Sequence, residues 1–318
     1  MKNKFFVLIL LILSVFIFSC NDEKQEIYYS FTDDLGNVIN LYHKPKNVAC
    51  LFSSFAEIWQ LAGGETKITV YETIERGICN DAIIVDDGAG KTINNELLIF
   101  SEPDFVICSA DISNQVKTAD LLNRSNIPAA SFKVETFDDY LRVLKIFTEI
   151  TKEDANYQKY GLDIKKQIDD LLSIYDSLYN PIYNSIYNIE RVNILFIRAG
   201  STPETTKAKR AEDHFVAKML EDIYAYNIAN DCEVLLDGLS TEAILLEDPD
   251  YIFISIMGDE EAVINNIENI FSNEIWSQLN AVKNKKYVFL PKELFQFKPN
   301  NRWYQAYKYL VDILYEEE

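Results

Sequence analysis

Histidine is nearly absent: His43 and His214 are the two imidazoles in 318 residues. Zinc and manganese centres draw on several such ligands, so a resident metal site of that kind is excluded. The same scarcity, with no Gly-x-Ser-x-Gly elbow, leaves no material for Ser/His or Cys/His catalysis. Both histidines read as surface residues. No Cys-x-x-Cys occurs among the five cysteines, which removes a zinc ribbon. Positive charge is also short, with 30 Lys and Arg against 50 Asp and Glu. Such a balance cannot hold a polyphosphate backbone, so nucleic acid is excluded as a partner. Residues Gly88-Ala89-Gly90-Lys91-Thr92 imitate the end of a phosphate-binding loop, but the glycine required five positions before Gly90 is Val85. They read as a flexible loop. Among so many acids, pairs such as Asp86-Asp87 and Asp138-Asp139 carry no catalytic signal, and the chain is not read as an enzyme.

Long apolar runs are missing too, except at the start. Lys2 and Lys4 precede residues 5–18, which carry no charge, and Ser19-Cys20 follows. As a helix that run covers about 21 Å, short of the ~30 Å hydrocarbon core. It reads as a secretory signal, an uncleaved anchor helix being the alternative. Phe16-Ile17-Phe18-Ser19-Cys20 resembles a bacterial lipobox, although Phe18 stands where a small residue is preferred. The expectation is a leader at 1–19, lipidation of Cys20, a tether at 20–26 and a protein held outside the cytoplasm by its lipid. Loss of Lys2 and Lys4 leaves 28 basic residues against 50 acidic, a formal charge of −22. Cys50 and Cys108 lie inside apolar runs and read as buried strand residues. An oxidising compartment permits a disulfide, and whether Cys79 and Cys232 pair stays open.

Two segments 146 positions apart match in register. Ile93-Asn-Asn-Glu96 leads through Pro103-Asp104 to Ser109, and Leu239-Ser-Thr-Glu242 leads through Pro249-Asp250 to Ser255. Each copy reads as a polar pair, a short helix with Glu in its first turn, a Pro-Asp break and a continuous apolar strand. The match predicts two similar lobes, each with its own core. Strands are expected at 47–52, 67–70, 105–109, 191–197, 251–255 and 287–290, alternating with helices. The fold class is therefore α/β: two Rossmann-like lobes with largely parallel sheets joined by one long α-helix. Between the repeats, Tyr157, Tyr160, Ile164, Ile168, Leu171, Tyr175 and Leu178 recur at threes and fours, predicting an amphipathic helix over 153–180. Gly161 weakens it and Pro181 ends or kinks it. The lobes are placed at 27–151 and 188–318, with the connecting helix at 152–187.

On these residues a family resemblance appears. Phe31-Thr-Asp-Asp-Leu-Gly36, Pro45-Lys-Asn47-Val and Ser53-Ser-Phe-Ala-Glu57 running to Gly63 resemble the opening of the periplasmic binding proteins for ferric siderophores, haem and cobalamin. Asn47 stands where Arg is usual. The resemblance continues through both Pro-Asp repeats, the connector and Met219-Leu-Glu221 to Ala229, where the Gly that normally follows this helix is lacking. It implies a receptor, expected to act as a monomer, that binds a small molecule between its lobes and hands it to an ABC permease. It further implies that Glu57 and Glu221, one per lobe, dock onto that permease, and it points to the late segment 297–303.

Strand ends, where open α/β sheets bind ligands, nominate Ser53, Tyr71, Ser109, Arg198 and Met257. The basic run Lys207-Ala-Lys209-Arg210 supplies Lys209 and Arg210, and the late segment supplies Arg302 and Trp303. Guanidinium and ammonium donors suit an anionic ferric chelate, and Tyr71 or Trp303 suit a flat ligand. The basic run reads equally as a solvated loop, Trp303 as core and Met257 as packing. No cofactor is implied. A ferric siderophore is the expected ligand, ahead of haem or cobalamin. A scavenging or adhesive lipoprotein without a permease and an exported enzyme on the same scaffold are the other readings.

Overall fold

The computed structural model describes residues 26–88, 92–179, 190–237 and 239–315. The leader, Cys20, the glycine loop around Lys91 and Pro181 fall outside the described residues. A hairpin of β1 (Tyr29–Thr32) and β2 (Val38–Leu41) opens the chain. Asp33 closes it by accepting from Leu35 N and Asn37 N, and its second oxygen accepts from Ser131 N at 3.0 Å, docking the hairpin on the first sheet. That sheet contains β3 (Val48–Cys50), β4 (Thr66–Thr69), β5 (Ile83–Ile84), β6 (Phe105–Ser109) and β7 (Ala129–Phe132). Its order is β5-β4-β3-β6-β7, all parallel. The helices around it are α1 (Ser53–Leu61), α2 (Tyr71–Glu75), α3 (Asn95–Phe100), α4 (Ser113–Arg124) and α5 (Phe137–Thr151). Asp139, without chemistry in the sequence reading, completes a capping box with Thr136 and starts α5.

Helical backbone then runs over residues 154–178 as α6 (Asp154–Tyr157), a π-helical turn (Gln158–Leu162) and α7 (Asp163–Leu178). This is the long connector, with one wide turn inside it. Gly161 is the reason the connector can lie close to α5. A Cβ there would stand 2.9 Å from Leu141 Cδ2 and 3.3 Å from Leu144 Cδ2. Among the described residues no helix is long and apolar enough to cross a membrane.

The second sheet holds β8 (Asn193–Ala199), β9 (Lys207–Ala208), β10 (Tyr226–Asn227), β11 (Tyr251–Ile256) and β12 (Tyr287–Phe289). Its order is β10-β8-β11-β12, all parallel, with β9 antiparallel on β8. Around it lie α8 (Phe215–Asp222), α9 (Val234–Asp237), α10 (Thr241–Glu247), α11 (Glu260–Phe271), α12 (Asn280–Lys283), α13 (Lys292–Phe295) and α14 (Trp303–Tyr315).

The internal repeat has a structural cause. Asp104, just before β6, accepts from Lys46 N and Asn47 N at 2.7 and 2.9 Å, gripping the entry of neighbouring β3. Asp250, just before β11, accepts from Asn193 N at 3.0 Å at the entry of neighbouring β8. Asn47 also donates to the carbonyls of Ser101 and Glu102 just beyond α3.

Strand alternation sorts the core into layers. Ala49, Leu51, Val106 and Cys108 face a layer private to the first lobe, and Leu195, Ile197, Ile252 and Ile254 one private to the second. Their alternates Val48, Cys50, Phe105, Ile107, Phe196 and Phe253 join a third layer that continues through Ile164, Ile168 and Trp303. Each lobe thus has a core layer of its own, as expected, and the inward faces of both sheets share a further one. Cys50 and Cys108 are fully buried, and the four described cysteines are all unbridged.

Candidate functional site

Between the lobes lies a cavity of about 270 Å³. Leu51, Phe52 and Ser54 follow β3, Val70 and Glu72 follow β4, and Ile112 follows β6. From the second lobe come Arg198, Ser255, Ile256 and Met257 at the ends of β8 and β11, then His214, Gln296, Phe297 and Lys298. Every strand involved contributes its carboxyl end, where backbone N–H groups and strand-end side chains converge.

Arg198 shares the inward face of β8 with Phe196 and is in register with Ser255 of β11. Among the described residues its guanidinium has no ion-pair or hydrogen-bonding partner, and partial burial lowers its pKa. Lys298 sits 4.9 Å from the Phe215 ring centroid and likewise forms no ion pair among the described residues. Burial lowers its pKa first, Asp111 and Glu135 oppose that, and Arg198 adds to it. His214 caps α8, its Nδ1 accepting from Val216 N at 3.2 Å, and packs against Phe196 and Phe215. Burial, then Lys298, Arg198 and Lys209, push its pKa down to about 3. The ring is therefore neutral, and with Nδ1 accepting it carries its proton on Nε2. This corrects the reading of His214 as a surface residue.

Beside the cavity stands a buried charged cluster. Glu57 is 13% exposed at its side chain. It accepts from Arg76 Nη2 at 2.9 Å and Asn300 Nδ2 at 2.8 Å, and pairs with Arg302 Nη2 at 3.0 Å. Arg76 also donates to Ser53 Oγ at 2.9 Å and lies 4.1 Å from the Phe297 ring centroid. Ser53 in turn donates to Glu72. Asn300 adopts a left-handed backbone (φ 54) and bonds Ser54 O at 3.1 Å. Gln296 Oε1, Asn300 Oδ1, Arg302 Nε and Trp303 Nε1 are buried without a partner among the described residues, so unmet polar groups gather in residues 296–303.

Of the nine ligand candidates, Arg198 and Met257 line the cavity. Ser53 is fully buried and its hydroxyl is engaged by Glu72 and Arg76. Ser109 is buried too, with its Oγ accepting from Asp111 N. Tyr71, 46% exposed, lies outside the cavity lining while its neighbour Glu72 lies within it. Lys209 reaches the site only through its charge on His214, and Arg210 is paired with Glu212 and Asp213. Arg302 is committed to Glu57. Trp303, 1% exposed, packs edge-on against Phe137 and Phe215 as core. The docking expectation divides the same way. Glu221 is 46% exposed on α8 beside Lys218, whereas Glu57 is sealed between the lobes and offers no free carboxylate.

Glu72, His214 and Lys298 were missed as cavity residues. Glu72 is one residue past the nominated Tyr71, and Lys298 is the second residue of the segment from which Arg302 and Trp303 were chosen. Among the described residues no three His, Cys, Asp or Glu side chains gather closely enough to hold a metal.

Over residues 48–294 the chain matches the model of the family described as periplasmic binding protein. No curated protein matches it. Among solved structures, a Staphylococcus aureus protein complexed with staphyloferrin B is 20% identical, with TM-score 0.63 over 91% of this chain and 97% of that one. The apo haem-binding protein of Roseiflexus sp. is 12% identical, with TM-score 0.67 over 85% and 98%. The vitamin B12 binding protein of Vibrio cholerae is 17% identical, with TM-score 0.64 over 86% and 97%. At these identities the likeness is one of fold.

Proposed function

The chain belongs to the periplasmic binding protein family, and from that premise we propose that it is the lipid-anchored binding component of an ABC importer, taking up an anionic ferric chelate of the siderophore class. The observation that carries this reading is the pair of cations, Arg198 and Lys298, that form no ion pair among the described residues and converge on one interlobe cavity of a strongly acidic protein. Two like charges held together and partly desolvated are stabilised by an anion between them. A neutral His214 protonated on Nε2 adds a donor, and Phe52, Phe297 and Met257 supply apolar wall. Support also comes from neighbours of the same fold, one complexed with staphyloferrin B and others named for haem or vitamin B12.

Haem is the second reading, since Met257 and His214 both border the cavity. Against it, His214 would need the other tautomer at Nε2 to bind iron, which would remove the acceptor that starts α8. Glu221 is the carboxylate available for permease docking on the second lobe.

The test is native mass spectrometry of the mature protein with ferric siderophores, ferric citrate, haem and cobalamin. A ferric carboxylate or catecholate chelate is expected to bind, and Arg198→Ala and Lys298→Ala are each expected to weaken it at least tenfold. Unchanged affinity in both variants, or haem binding alone, rejects the reading.

A further inference from the structure

The cavity walls carry opposite charge. Arg198 and Lys298 come from the second lobe, and facing them from the first is Glu72, the carboxylate that lines the cavity there. One oxygen of Glu72 accepts from Ser53. Among the described residues the other oxygen has no partner. Glu72 belongs to the cluster with Glu57, Arg76 and Arg302, two acids and two bases. Among the described residues, however, both guanidinium groups direct their hydrogen bonds to Glu57 and Ser53, and Arg76 reaches Glu72 through its charge alone. None donates to Glu72 directly, so its free oxygen meets the cavity as a pure acceptor.

We propose that Glu72 is a specificity-determining residue that selects, among oxyanion-bearing ligands, those that also carry a protonated amine. The oxyanion lies against Arg198 and Lys298 and the ammonium against Glu72, so the bound molecule spans both lobes and is held by both. Ligands that are anionic on every side meet repulsion from Glu72 at the first lobe. This inference rests on the cavity being the anion-binding site proposed above and adds a requirement to it.

The probes are a matched pair: the ferric chelate of Nα,Nα-bis(carboxymethyl)-L-lysine, which has carboxylates and a pendant ammonium, and the same chelate acetylated on that amine. Calorimetric titration of the mature wild-type protein is expected to give at least tenfold tighter binding of the free-ammonium form. Glu72→Gln keeps a carbonyl to accept from Ser53. It should abolish that preference and tighten ferric citrate, which has no amine, by a similar factor. Equal affinity of the wild type for both forms, survival of the preference in Glu72→Gln, or no binding of either form overturns the proposal. The wild-type comparison stands even if the variant does not fold. Ferric citrate bound by the wild type and lost in Arg198→Ala upholds the anion site whichever way the Glu72 result falls.

Discussion

Glu57 collects three donors from two lobes while almost fully buried. A buried carboxylate with its partners in place is tolerated, but removing it strands Arg76 out of water and takes the ion pair from Arg302, which is 33% exposed. Glu57→Ala is therefore expected to lower unfolding free energy by about 3–5 kcal/mol in urea titration, and a change under 1 kcal/mol would contradict the cluster. His214 gives a second residue-scale expectation. Its folded pKa lies near 3 against an ordinary value of 6.5. The unfolded chain therefore binds the extra proton first as pH falls, and stability drops between pH 6.5 and 3. The slope from one proton is about 1.4 kcal/mol per pH unit. His214→Gln should flatten that limb of a stability–pH curve by this amount. Neither behaviour was legible in the sequence, because an isolated Glu or His carries no sign of how the distant residues 296–303 will surround it. Arg198 was legible, since it ends a clear apolar strand. Met257 was legible for the same reason, whereas Glu72 was missed by one residue, as side-chain direction at a strand end depends on the turn that follows.

The helices and strands were far more readable than their contacts. The apolar runs that became β6, β8 and β11 announced themselves, whereas β7 is Ala-Ala-Ser-Phe, too small and polar to stand out. The Pro-Asp repeat was visible, and its reason lay in backbone N–H groups that sequence does not display. That reason makes the copies unequal. Asp104 satisfies two strand-entry N–H groups and Asp250 one. Asp104→Ala should thus destabilise more than Asp250→Ala, by roughly 1 kcal/mol in paired denaturation experiments; equal losses would count against the clamp. Close approach sets a further expectation. A Cβ on Gly64 would stand 2.1 Å from Trp59 Cε2 in the aromatic core. Gly64→Ala is expected to cost at least about 1–3 kcal/mol, and a neutral result would mean that the Trp59 ring can move. The missing glycine after α8 has an answer as well. Tyr224 takes the left-handed position itself (φ 68), with Ala225 N bonded to Leu220 O and Tyr224 N to Glu221 O. Its ring is held by stacking on Tyr179 and its hydroxyl by Asp176, which offsets the strain.

Across the whole molecule, a core layer shared by both sheets ties the lobes thermodynamically. Calorimetry of the mature protein should show one cooperative transition rather than two, with equal van't Hoff and calorimetric enthalpies. Resolved lobe transitions would contradict the shared layer. The acidic surface gives the last expectation. Glu221→Lys should leave chelate binding unchanged and abolish uptake in cells, with retained uptake removing Glu221 from the docking role. The equivalent reversal at Glu57 would report on folding instead.

The wide turn at Gln158–Leu162 carries a consequence for how this chain tolerates length change. A π turn takes in one residue more than a regular helix without rotating either flank. Excising a single residue there would convert it to ordinary winding with both ends still facing as before, the loss falling on the snug seat of Gly161. The same excision within α7 would swing everything beyond it by about 100°, carrying Tyr175 away from Tyr315. The connector thus holds a built-in spare link, and its position marks where such a deletion does least harm.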